Sequence, residues 1–232
     1  MKPPEDEGKD RATAETVLRR IVVAVARQAE ALQLVQHTQG NFSARLPGTR
    51  LIVITPSGVP YAEMGPEDLV TVDLETGTVA GRHRPSSELE VHRLAYRSRP
   101  WVGGCAHVEP PYLNALYAVN REVPNLLGNF VYLFAGRGLA VAPALRSGTR
   151  EFAEAVLAAM GDRLGVVWKN HGLFCVGDTL RSALDRCVAA EQAAKVYSLA
   201  LALGAGEPAP IPEEVQEEMV RTARALGLTG SV

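Results

Sequence analysis

Residues Gly103–Pro111 read GGCAHVEPP, an apolar, glycine-containing strand that ends abruptly at two prolines, which cannot donate to a sheet ladder. Side chains two apart on a strand point to the same face, so His107 and Glu109 stand side by side at the strand's end. An imidazole and a carboxylate placed that way are able to grip one ion. A third donor, His171, lies in the turn of VVWKNHGLFCVG between two apolar runs, and a His, carboxylate, His set suits a divalent first-row metal. Each of these residues also has a plainer role open to it. A histidine in an apolar strand is more often a hydrogen-bonded core residue than a ligand. His171 could brace its turn, and Glu109 could open the next helix, although Glu is not a favoured cap.

Outward from this strand, helices and strands alternate. Upstream, Val17, Leu18, Ile21, Val22, Val25, Ala29 and Leu32 recur at helical spacing and predict an amphipathic helix from Thr13 to about Gln36. FSARL and LIVIT read as short strands, with another at Leu69–Val72 and a brief return at Val79. PSSELEVHRLAYRSRP opens a helix near Ser86 that carries Leu89, His92 and Tyr96 down one face. Downstream, PPYLNALYAVN is a helix with proline at its start, VYLFA and LAVAP are strands, and GTREFAEAVLAAMG is a helix closed by Gly161. A hairpin, GVVWK-NHG-LFCVG, leads into a long apolar helix from about Thr179 to Leu203, suited to a core or to packing between subunits. After the proline-rich GAGEPAPIP, PEEVQEEMVRTARAL closes the chain as a small helix. Several strand pairs are joined by tight turns, so the sheet is expected to be antiparallel or mixed and layered between helices.

A chain of 232 residues, 47% hydrophobic and 22% charged, suits one domain, expected over 13–232 behind a flexible, charged tail at 1–12. That tail lacks the apolar core of a signal peptide or membrane span. A net charge of −2 with scattered arginines argues against nucleic acid as a partner. Cys105, Cys175 and Cys187 show no metal-knuckle or disulfide spacing, which points to buried thiols in a reducing cytoplasm.

Three polar clusters remain: TQGN (Thr38–Asn41), TPSG (Thr55–Gly58) and SSE (Ser86–Glu88). All combine small hydroxyl or amide side chains, mostly with glycine, at strand ends or a helix start. Converging N–H groups and hydroxyls make a phosphate cradle, while singly each cluster is an ordinary turn. Glu88, beside such a pocket, is a candidate general base, or else a first-turn glutamate answering the helix dipole. His37, His83 and His92 have no second ligand at a suitable spacing and read as structural.

Taken in order, GNFSARL, ITPSG, PSSELEVHRLAYRSRP, AHVEPPY, GTRE and KNHGLFCVG resemble the class II aldolase/adducin family, roughly from Val17 to Leu203. The resemblance implies a three-layer α/β/α sandwich with a mostly antiparallel central sheet, assembled as a homotetramer with sites between subunits. It also implies a metal-dependent carbon–carbon lyase with enediolate chemistry, acting on a small phosphorylated sugar or hydroxy acid. Thr38, Gly40, Asn41, Ser57, Gly58, Ser86 and Ser87 would hold the phosphate, Glu88 would be the acid/base residue, and His107 and His171 match two zinc-binding histidines. The sequence departs from the family twice. Where a second histidine is usual the chain has Glu109, which admits Fe2+ or Mn2+ beside Zn2+, and the family's acidic tyrosine aligns near Asn129, with Tyr132 as a nearby candidate. Two other classes fit parts of the pattern. One is a non-haem Fe(II) oxygenase or decarboxylase using two histidines and a carboxylate; the other is a non-catalytic, adducin-like binding protein.

Overall fold

GCAHV forms β5 (Gly104–Val108), every residue of which is buried, and it lies near the middle of the protein. The computed structural model describes residues 4–227, with side chains from residue 11. Before β5 come α1 (Pro4–Ala31), β1 (Asn41–Arg45), β2 (Leu51–Ile54), a 3-10 turn (Pro66–Asp68), β3 (Val70–Asp73), β4 (Val79–Ala80) and α2 (Leu89–Ser98). After it come α3 (Pro111–Ala118), α4 (Gly128–Leu133), β6 (Ala140–Ala142), α5 (Arg150–Met160), β7 (Gly165–Trp168), β8 (Gly172–Gly177), α6 (Leu180–Ala202) and α7 (Glu213–Ala225).

The strands make one eight-stranded sheet in the order β4-β3-β2-β1-β5-β8-β7-β6. Only the β6–β7 pair is parallel, so the sheet is mixed and mostly antiparallel, as expected. α1 and α6 cover one face and α2 and α5 the other, which gives the three layers. The packing that seats α6 is tight. A side chain on Gly104 would bring its Cβ within 2.2 Å of the Leu180 backbone, so glycine alone lets the start of α6 lie on β5. Thr179 caps α6 by accepting from the Ser182 N–H, and Thr149 caps α5 by accepting from the Phe152 N–H.

Two segments differ from expectation. VYLFA is not a strand: its first residues belong to α4, because Phe130, Val131 and Phe134 are buried where the segment packs on α6 and α7. Strand preferences of aromatic and branched residues yield to such packing. The first helix starts at Pro4, ahead of Thr13, so part of the expected tail is helical. On α1, Val22, Val25 and Ala29 are buried, while Val17 and Ile21, and Leu32 just past its end, are exposed.

Candidate metal and anion site

The β1–β5 register sets Asn41 opposite His107, and β5–β8 sets His107 opposite Phe174. These pairs fix one end of the sheet, and the β7–β8 turn at the same end presents His171. Asn170 in that turn has a left-handed backbone, φ 59°. The His171 N–H donates to the Trp168 carbonyl, and the Asn114 side chain donates to the His171 carbonyl, so the residue is held from both sides.

His107 is fully buried and stacks on Trp168, with ring centroids 4.0 Å apart. Its Nδ1–H donates to the Leu173 carbonyl at 3.1 Å, which leaves Nε2 as a lone pair. That Nε2 is buried without a hydrogen-bond partner and lies 3.4 Å from Glu88 Oε2. The His171 Nε2 is likewise 3.4 Å from Glu88 Oε1. One donor atom from each of Glu88, His107 and His171 lies within 4.8 Å of the others. A lone pair facing a carboxylate oxygen is unfavourable unless a positive charge sits between them. The donor set therefore fits a divalent cation.

Glu109 reaches this cluster only at its edge, 3.9 Å from His171. Burial raises its pKa, with His171 and the nearby Gly40 N–H opposing. Gly40 has φ 69°, and a Cβ there would lie 2.5 Å from the His107 carbonyl, so the loop crosses the strand end by virtue of glycine.

The three polar clusters meet at this end. The Ser86 N–H donates to the Thr55 carbonyl, Pro56 bridges to Pro85, and the Thr55 hydroxyl accepts from the Phe42 N–H. Thr38, Ser57, Gly58 and Ser87 are exposed, and Ser86 is buried with its hydroxyl accepting from the Glu88 N–H. Asn41 differs from the others. Its amide is buried and turned inward, donating to Glu88 Oε2 at 2.7 Å while its oxygen faces His92 Nε2 at 2.5 Å. Tyr61, outside the expected site, donates to the Gln39 and Gly40 carbonyls, each at 2.8 Å, and so pins the loop. His92 read as structural on sequence, yet it contacts the partner of Glu88. The signal was available: Glu88, His92 and Tyr96 recur every four residues, one helical face. Tyr132 and Asn129 lie on α4 rather than on a strand.

A family model described as Class II Aldolase and Adducin N-terminal domain matches residues 20–198. A 5-deoxy-D-ribulose 1-phosphate aldolase of Bacillus thuringiensis is 30% identical, the match covering 90% of this chain and 96% of the relative. A 5-methylthioribulose-1-phosphate/5-deoxyribulose-1-phosphate aldolase of Rhodospirillum rubrum is 32% identical over 90% of this chain and 92% of its own length. Among solved structures, an L-fuculose 1-phosphate aldolase superposes with a TM-score of 0.82 at 28% identity, covering 89% of this chain and 96% of that one.

Proposed function

Because the chain belongs to the class II aldolase and adducin family, we propose that it is a metal-dependent aldolase that cleaves a ketose 1-phosphate of five or six carbons. The products are dihydroxyacetone phosphate and a short aldehyde. The observation that carries this reading is the buried, unpartnered His107 Nε2 facing Glu88 beside His171, next to three hydroxyl-rich loops. In this reading His107 and His171 hold the ion with Glu109 completing the set, and Glu88 is the acid/base residue. Zinc fits two imidazoles and a carboxylate, and the carboxylate also admits iron or manganese. A bound divalent ion would supply Lewis-acid polarisation of the substrate's carbonyl and hydroxyl oxygens.

The chain's own residues do the rest. Hydroxyls of Thr38, Ser57, Ser86 and Ser87, with the Gly40 and Gly58 turns, hold the phosphate and fix the sugar's register along the pocket. Cleavage breaks the carbon–carbon bond as the neighbouring hydroxyl becomes the aldehyde and gives its proton to water, and Glu88 delivers a proton to the carbanionic carbon freed next to the carbonyl; in the condensing direction Glu88 removes that proton and water returns one to the new hydroxyl. Asn41 serves through its amide contact with Glu88.

Exposed Val17 and Ile21 on α1 with Leu32 just past its end, and Val196 and Leu199 on α6 with Leu203 just past its end, support a homotetramer. Three free buried cysteines support a cytoplasmic setting, and no helix among the described residues is long and apolar enough to cross a membrane. The test is to incubate the protein with 5-deoxyribulose 1-phosphate and with L-fuculose 1-phosphate and to assay dihydroxyacetone phosphate. Release from either that is abolished by a chelator and restored by zinc, manganese or iron is the expected result. Release from neither, with metal bound, defeats the proposal.

A further inference from the structure

Behind Glu88 runs a chain of buried polar side chains, of which the reaction scheme above uses only the first, Asn41. Asn41, Ser43, His92 and Tyr96 are each at most 3% exposed, so solvent does not complete their hydrogen bonding. Asn41 donates to Glu88 Oε2 at 2.7 Å and faces His92 Nε2 at 2.5 Å. His92 Nδ1 lies 2.6 Å from the Ser43 hydroxyl, which lies 2.9 Å from the Tyr96 hydroxyl.

The direction of every bond follows from one end. An ionised carboxylate only accepts, so the Asn41 NH2 must face Glu88 and the Asn41 oxygen must face His92. His92 Nε2 must then carry the hydrogen, and Nδ1 must accept from the Ser43 hydroxyl. Ser43, having donated its single hydrogen, accepts from Tyr96. Burial, with His107 nearby, lowers the His92 pKa to about 3, which keeps the ring neutral with one donor and one acceptor.

We infer that His92 is a positioning residue: held as its Nε2–H tautomer, it locks the Asn41 amide and so anchors Glu88 by Oε2, leaving Oε1 as the oxygen that exchanges protons with substrate. The inference rests on Glu88 being the acid/base group. The other tautomer would turn the Asn41 amide and set its oxygen against Glu88, expelling the carboxylate from its seat. An amide-for-amide placement that is correct by one flip thus depends on a ring two bonds further into the core.

Two measurements test it. In metal-free protein at neutral pH, 15N-histidine spectra, with His92 assigned by its absence in His92→Gln, should show hydrogen on Nε2 and none on Nδ1. An Nδ1–H tautomer or an imidazolium overturns the inference, and this readout needs no variant to be active. The second reads proton exchange at C3 of dihydroxyacetone phosphate in D2O, which involves the acid/base residue without the aldehyde. His92→Asn keeps a partner for Ser43 but loses the donor to Asn41, so kcat for exchange should fall about tenfold to a hundredfold with KM changed less than about twofold and metal content unchanged. His92→Gln, which places an N–H near the Nε2 position, should recover to within about threefold of the natural protein, since the hydrogen bond to Asn41 is restored. Wild-type exchange in His92→Asn, with none in Glu88→Ala, overturns the inference alone. Undiminished exchange in Glu88→Ala overturns the assignment of Glu88 itself, and the positioning role falls with it.

Discussion

The two ends of β5 are built from neighbouring residues of one strand and are organised on opposite terms. At its start, Gly103 and Gly104 are pressed against the Asp178–Leu180 backbone, where an added Cβ would come within 1.9 and 2.2 Å. No side chain projects there, and contact between backbones is the purpose. At its end, His107 is equally buried, yet one of its nitrogens has no hydrogen-bond partner and faces a carboxylate. Gly104 and His107 are both buried, so burial does not separate scaffold from site. Satisfaction does: the first end leaves nothing wanting, and the second leaves a lone pair that a cation would complete.

If that contrast is right, damage to the first end should unfold the protein and damage to the second should spare the fold. The largest effect is expected from Gly104→Ala, because the clash is with backbone rather than with a side chain able to swing away. A loss of at least about 3 kcal/mol in urea unfolding, or no soluble protein, is expected. A wild-type unfolding midpoint would break the comparison at its first end.

His107→Ala should keep the native circular dichroism and lose bound metal, with affinity at least about a hundredfold weaker by competition with a chelator. The carboxylates then sharpen the second end. Glu88→Ala is expected to keep metal and lose turnover, and Glu109→Ala to lower metal occupancy about tenfold. Glu88 lies 3.4 Å from both imidazoles and Glu109 only 3.9 Å from one, so metal lost in Glu88→Ala and retained in Glu109→Ala would transfer the ligand role to Glu88.

The last prediction concerns acid stability behind the second end. The His92 pKa falls from 6.5 to about 3 on folding, mainly through burial, so the unfolded chain binds the proton first as pH drops. The His92 contribution to stability is therefore fully present above pH 6.5 and is lost as the pH falls toward about 3, at up to roughly 1.4 kcal/mol per unit. His107, lowered to about 4, adds in the same sense in metal-free protein. Unfolding free energies of His92→Gln should fall less steeply between pH 6.5 and 5 than those of the natural chain; parallel slopes would mean that His92 does not carry this burden.

Most elements were legible because their signals are local. The helical spacing through Val22, Val25 and Ala29, the Thr149 and Thr179 caps and the Lys169–His171 turn each act within a few residues. VYLFA was misread because its neighbours in space, α6 and α7, lie far along the chain and override its strand preference. The identity of the site residues was likewise written locally: AHVEPP, KNHG and SSE carry donor types that suit a metal and an anion. Their division of labour was not. That Glu88 sits between His107 and His171, that Glu109 stays at the edge of the cluster, and that Asn41 faces inward to His92 depend on pairings of β1, β5, β8 and α2. The sequence by itself determined which groups are present and the face of the strand or helix each occupies, since those follow from backbone periodicity. Only the tertiary structure decided which oxygen meets which nitrogen, because hydrogen bonds and ion coordination depend on distances set by register and packing between segments remote in the chain.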